Sequence, residues 1–159
     1  MGRERRASSL RMHFEDSFPR LRGSGYRVTS FADRRYNCFA WAAGRTDVWW
    51  EPDRFEIYFW PPNCPRERTL EAFSLAYQAL GYAACADGNL EEDAEKIAIY
   101  AGADRVSRHA ARQLPDGAWS SKLGALEDIQ HMLEALESQA YGSVILFMRR
   151  KRTASPASK

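Results

Sequence analysis

The chain has 159 residues, 45% of them apolar and 28% charged, with a formal net charge of +2. That length fits one domain, the composition supplies a core, and the charge is too small to argue for nucleic acid. No apolar run approaches the ~20 residues needed to cross a bilayer, and no apolar stretch follows the basic N-terminus to make a secretory signal.

The three cysteines (Cys38, Cys64 and Cys85) are odd in number and lack CxxC spacing, which excludes a disulfide framework and a cysteine zinc site. A reduced, cytoplasmic setting follows. Residues 1–12 and 151–159 are basic or low in apolar content and are expected to be disordered tails, leaving 13–150 as a single domain.

After a loop holding Gly23, Gly25 and Tyr26, the stretch YNCFAWAAG predicts a short helix. Asn37 is its N-cap, Ala40, Ala42 and Ala43 favour helix, and Gly44 stops it. Residues 45–65 carry Pro52, Pro61, Pro62 and Pro65, which leave room only for a short extended piece at Phe55–Trp60. Their aromatic residues (Trp49, Trp50, Tyr58, Phe59 and Trp60) are expected to be mainly core, with a substrate-lining wall as the alternative.

From Arg66 the spacing of Leu70, Phe73, Ala76, Tyr77 and Leu80 predicts an amphipathic helix ended by Gly81. Three strands are expected next, at 96–101, 106–114 and 118–123, with Pro115-Asp116-Gly117 as a hairpin turn between the last two. Leu126, Ile129, Leu133 and Leu136 then predict a second amphipathic helix over 124–138, and a strand over 142–150 closes the domain. The order places helices apart from a small, mostly antiparallel sheet, which is the α+β class.

Cys38 falls in the first turn of its helix, directly after the cap. Unpaired N–H groups at such a position favour thiolate over thiol and can hold an oxyanion. The competing reading is a small buried hydrophobe. His109 opens a strand and is followed by Ala110 and Ala111, which leave room around an imidazole. A nucleophilic cysteine needs a base within hydrogen-bond reach, and histidine is the usual one. Cys64 and Cys85 have no basic group expected beside them and read as structural. His13 lies by the tail. His131 is expected to be a half-exposed helix residue, and Glu127 and Asp128 first-turn acids. The scattered histidines and acids show no metal-ligand spacing, so no metal site is expected.

Tyr36-Asn37-Cys38 opening a small-residue helix, followed by His109 opening a strand and by a further strand, resembles the papain-like NlpC and CHAP families of cysteine peptidases and amidases. The likeness covers roughly residues 26–150 in order of elements. In the NlpC type an acidic or amide residue precedes the cysteine, and Asn37 stands there. A site-lining Tyr about a dozen residues earlier corresponds to Tyr26, twelve positions before Cys38. The string Ser121-Lys122-Leu123-Gly124, with His131 and Tyr141-Gly142 downstream, is similar to a pattern in a branch of bacterial papain-like proteins. The Asp-Cys-Ser-Gly run of the NlpC type is absent, and residues 45–95 are an insertion.

The resemblance implies a Cys-bearing helix packed on a small antiparallel sheet, with a third residue on the strand after His109 to orient the imidazole. A two-residue Asp116-Gly117 turn puts Ser120 and Lys122 on the face of His109. A three-residue Pro115–Gly117 loop puts Ser121 and Trp119 there instead. A charged Lys cannot accept a hydrogen bond, so the orienter is Ser121 or Ser120.

The expected activity is hydrolysis of an amide, isopeptide or related acyl bond in a peptide or amide-containing substrate. Cys38 and His109 would be catalytic, Ser121 the orienter, and Asn37, Tyr26, Ser120 and Lys122 supporting residues. No cofactor, nucleic acid or membrane partner is implied. The alternatives are a catalytically inactive papain-like binding module and a toxin-type deamidase or transacylase with the same thiol chemistry.

Overall fold

The computed structural model describes residues 2–153. Helix α1 (Gly2–Ser17) occupies the stretch expected as a disordered tail. Leu10, Phe14 and Phe18 recur at four-residue spacing and pack into one core cluster, which fastens the end of this helix to the sheet. A 3₁₀ turn (Pro19–Leu21) and strand β1 (Arg27–Val28) follow. Helix α2 (Cys38–Ala42) has Asn37 as its cap, and Gly44 beyond it takes a positive φ of 81°. Helix α3 (Leu70–Gln78) is capped by Thr69, whose hydroxyl accepts from the Ala72 N–H.

Strands β2 (Ala83–Cys85), β3 (Ala94–Ala101), β4 (Ser107–Gln113), β5 (Trp119–Lys122) and β6 (Asp128–His131) come next. A second 3₁₀ turn (Leu133–Leu136) and β7 (Ser143–Lys151) complete the chain as described, so the fold is α+β. All seven strands pair antiparallel in the order β1-β6-β5-β4-β3-β7-β2. Of the C-terminal tail expected over 151–159, Lys151 belongs to β7, and residues 154–159 lie outside the described residues.

The helix expected over 124–138 is not formed. Residues 128–131 within it form β6, held between β5 and β1, with Ile129 facing Ser121 on one side and Val28 on the other. Strand alternation buries Ile129, and the 3₁₀ turn buries Leu136, so the same apolar residues reach a core without a helix. Leu126, the residue left over, is exposed.

The two faces of the sheet bury different clusters. Ile97, Ile99, Ala110 and Met148 pack with Cys38, Phe39, Phe73 and Tyr77 of α2 and α3. Ala98, Tyr100, Ala111, Trp119 and Ile129 pack on the other side with Phe14, Phe18, Leu21 and Leu136. The proline-rich segment forms no strand beyond a single bridge between Trp50 and Phe59. Trp50 and Trp60 are core residues. Trp50 stacks on Tyr77 with ring centroids 5.6 Å apart, and Trp60 meets Phe73 edge-on at 4.9 Å. Phe55, Ile57, Tyr58 and Phe59 stay exposed. Among the described residues, no helix is long and apolar enough to cross a membrane.

Between the second 3₁₀ turn and β7, Ser138 and Gly142 exchange two backbone hydrogen bonds of 3.1 and 2.8 Å around Tyr141. Gly142 has φ 74°, and a side chain there would overlap the Ala101 carbonyl of β3. Gly142→Ala therefore meets both backbone strain and a backbone clash. It is expected to lower stability by at least about 2 kcal/mol in urea denaturation.

Candidate functional site

Asn37 does more than cap α2. Its Oδ1 accepts from the Ala40 N–H (3.1 Å) and the Trp50 N–H (3.2 Å), and its Nδ2 donates to the Trp50 carbonyl (2.7 Å). One amide side chain thus sets the helix start and pins the aromatic segment beside it. Cys38 follows at the first helical position and is 7% exposed. Its thiol lies among backbone N–H groups of Cys38, Phe39 and Ala110. Ala110 belongs to β4, which pairs with β5 only through Arg112 and Gln113. The earlier half of β4 therefore has no ladder partner on that side, and there the thiol meets the strand.

The hairpin register decides which polar groups share a face. Leu114 and Ala118 close the turn (N···O 2.7 Å), Gly117 has φ 91°, and Arg112 stands opposite Ser120. The loop is thus the three-residue Pro115–Gly117 form. His109, Ser121 and Trp119 fall on one face, and Ala110, Arg112, Ser120 and Lys122 on the other. His109 is fully buried. Its Nε2 lies 2.8 Å from Ser121 Oγ, which in turn lies 2.7 Å from His131 Nε2. His131 Nδ1 is 2.8 Å from the Met132 carbonyl. The His109 ring stacks on Tyr141 at 4.1 Å with an interplanar angle of 5°, and Tyr100 closes its edge. His109 Nδ1 is buried with no hydrogen-bond partner among the described residues.

Cys38 and His109 thus converge on adjacent residues of β4 from opposite faces of the sheet, and no hydrogen bond joins them. Burial governs their charge states. Loss of solvent pushes the Cys38 thiol up to about 12 in spite of its amide neighbours. Burial, and then the nearby His131, hold the His109 imidazole well below its ordinary value. Burial likewise lowers His131 to about 4, against a raising contribution from the Met132 carbonyl. All three groups are neutral at pH 7.

Ser120 is on the α2 face, where its hydroxyl accepts from Trp41 Nε1 at 3.1 Å. Lys122 is also there, fully buried. It donates to the carbonyls of Asp33 (2.6 Å) and Gly124 (2.7 Å) beneath the Tyr36 ring. Asp128, expected as a first-turn helix acid, is instead a buried strand residue that accepts from the Tyr36 hydroxyl at 2.9 Å. Tyr26 donates to Glu15 of α1 at 3.3 Å and makes no hydrogen bond to Cys38, His109 or Ser121. Cys64 and Cys85 are half-buried free thiols bonded to the Leu75 and Asp87 carbonyls.

His131 is the residue sequence reasoning missed. Expected on a helix and half-exposed, it is 5% exposed on β6. It also forms part of the wall of a surface cleft of about 320 Å³ with Gly25, Trp119, Gln130 and Met132. The alternation Asp128, Ile129, Gln130, His131 was the available signal, and the leucine spacing around it obscured it.

The site is a helix-start thiol set against β4, whose His109 begins a buried imidazole–hydroxyl–imidazole chain that runs through Ser121 of β5 to His131 of β6. The chain belongs to the family described as Domain of unknown function (DUF7689), whose model matches residues 27–149. No curated protein and no solved structure matches it.

Asn37→Ala removes the cap and strands the buried N–H and C=O of Trp50. It should cost about 2–4 kcal/mol by urea denaturation, and Asn37→Asp, which keeps the cap acceptor but sets a second oxygen against the Trp50 carbonyl, should not restore the wild-type value. The two buried histidines also set a pH dependence. An imidazole whose folded value is depressed favours folding above its unfolded value near 6.5, and that contribution is lost as pH falls. Stability should therefore drop between about pH 6.5 and 4, with His131 supplying about 3 kcal/mol of the fall. Urea titrations across this range should show a shallower fall in His131→Gln.

Proposed function

We propose that this domain is a papain-like thiol hydrolase of amide, isopeptide or related acyl bonds, with Cys38 as nucleophile and His109 as base. The observation that carries this reading is the bare Nδ1 of a fully buried His109, one residue from the amide that meets the Cys38 thiol. Buried polar atoms without partners are uncommon in folded proteins, and a bare ring nitrogen is chemically suited to receiving a proton. The Cys-bearing helix on an antiparallel sheet, with His109 and Ser121 on consecutive strands, agrees with a papain-like arrangement.

The reaction requires the thiol to close on Nδ1. Sγ then bonds to the substrate carbonyl carbon while its proton passes to Nδ1. The backbone N–H groups around the thiol are placed to steady the oxyanion. The carbon–nitrogen bond breaks as Nδ1 returns the proton to the leaving amine, and water then splits the thioester. This chemistry needs no dissociable cofactor, and the substrate class is a peptide or other amide. Three free cysteines suit a reduced, cytoplasmic setting.

A second reading, a catalytically inactive papain-like binding module, is favoured by one observation. Burial leaves Cys38 a neutral thiol with no hydrogen bond to His109.

Iodoacetamide labelling at pH 7, resolved for each cysteine by mass spectrometry, separates the two. An inert thiol that is 7% exposed must react more slowly than half-buried Cys64 and Cys85. The hydrolase reading expects the reverse order, with Cys38 roughly tenfold ahead and its lead lost in His109→Ala. If Cys38 is the slowest of the three, or its rate ignores His109, the domain is a binding module.

A further inference from the structure

The three-membered polar chain behind His109 carries only one arrangement of protons. The Met132 carbonyl can only accept, so His131 Nδ1, 2.8 Å away, must carry the hydrogen. His131 is neutral at pH 7, which leaves its Nε2 as an acceptor. The single hydroxyl proton of Ser121 therefore points to His131 Nε2, 2.7 Å from Oγ. The remaining lone pairs of Oγ face His109 Nε2 at 2.8 Å, so this nitrogen must donate. A neutral His109 with its proton on Nε2 has a bare Nδ1. The reverse arrangement sets the His131 Nδ1 lone pair against the Met132 carbonyl oxygen, two acceptors at hydrogen-bond distance in a buried site.

We propose that His131 is a positioning residue: anchored by the Met132 carbonyl and acting through Ser121, it fixes His109 in the tautomer whose Nδ1 is the proton acceptor. The assignment deepens the hydrolase reading and rests on it for its catalytic meaning, since the tautomer it imposes is the one a base for Cys38 requires. Orientation is supplied separately. The Tyr141 ring lies flat on the imidazole and Tyr100 meets it edge-on, which fixes the plane of the ring but leaves its tautomer free. The tautomer is set only through the hydrogen-bonded chain, whose first link is a main-chain carbonyl that cannot change its role.

Long-range proton–nitrogen NMR on histidine-labelled protein reads the tautomers directly, and the chain contains only three histidines to assign. At pH 7 the wild type is expected to show His109 protonated on Nε2 and His131 on Nδ1. In His131→Phe the Ser121 hydroxyl loses its acceptor and turns its proton toward His109 Nε2. The His109 tautomer ratio should then shift toward Nδ1–H by roughly tenfold or more, the weight of one buried hydrogen bond. His131→Gln, whose side-chain carbonyl can accept from Ser121, should restore the wild-type ratio. A wild-type His109 protonated on Nδ1 overturns the proposal, as does a folded His131→Phe with an unchanged ratio. If His131→Phe does not fold, the wild-type spectrum together with His131→Gln decides.

Cysteine labelling on the same samples keeps the two readings apart. Expected tautomers with an inert Cys38 remove the hydrolase and leave the proton arrangement standing. A fast, His109-dependent Cys38 with an unmoved tautomer in His131→Phe removes the positioning role alone.

Discussion

A three-residue turn, Pro115–Gly117, governs the chemistry of this domain. By closing between Leu114 and Ala118 it sets β4 against β5 in a register that assigns every polar residue of the hairpin to a face. A turn shorter by one residue exchanges the faces: Lys122 and Ser120 would then stand beside His109, and Ser121 would look toward α2. The observed register gives His109 a hydroxyl partner instead of an ammonium. It sends Lys122 to the opposite side, where two carbonyls and the Tyr36 ring receive it. The polar residues of the sheet interior are thereby sorted into a neutral chain on one face and a charged cluster on the other.

The sorting has an energetic logic. A buried charge is costly unless well paired, whereas a neutral polar chain needs only hydrogen bonds. His109, Ser121 and His131 meet that condition except at one atom, Nδ1. On the other face Lys122 is held by main-chain oxygens and Asp128 by a tyrosine hydroxyl, so a cation and an acid share the same buried region. Cys38 stands at the seam between these two environments, where β4 and β5 cease to pair. Its thiol is shielded enough to stay protonated and sits beside amides that would stabilise the anion.

Much of this was legible in the sequence where local chemistry and tertiary structure agree. Asn37 and Gly44 bracket α2, Gly81 ends α3, and β3, β4, β5 and β7 fall within two residues of their expected limits. Ser121 was one of two serines that the hairpin could present, and the choice depended on a turn length that a Pro-Asp-Gly string does not specify. The failures have a common physical origin. Leu126, Ile129, Leu133 and Leu136 satisfy helical spacing, yet residues 128–131 are captured by strands on both sides, a contest that only the assembled sheet decides. With that segment went His131, and with His131 the proton arrangement behind His109. Strands β1 and β2, of two and three residues, are too short to leave any periodicity. Helix α1 lacks a broad apolar face and is held mainly through the Leu10, Phe14 and Phe18 stripe.

The residues that complete the surroundings of Cys38 also bear on how the chain comes to fold during synthesis. Tyr36 waits for Asp128, 92 residues later, and the Asp33 carbonyl waits for Lys122, 89 residues later. β1 has no partner strand until β6 exists. A chain emerging from its N-terminus therefore presents α2 long before the sheet that buries it has been made. Contacts this distant form late, because the intervening chain must be closed before they contribute. During that interval Cys38 is an ordinary solvated thiol, open to oxidants and electrophiles. Burial then acts as the last stage of maturation, moving the thiol from solvent to its place among the backbone amides of α2 and β4.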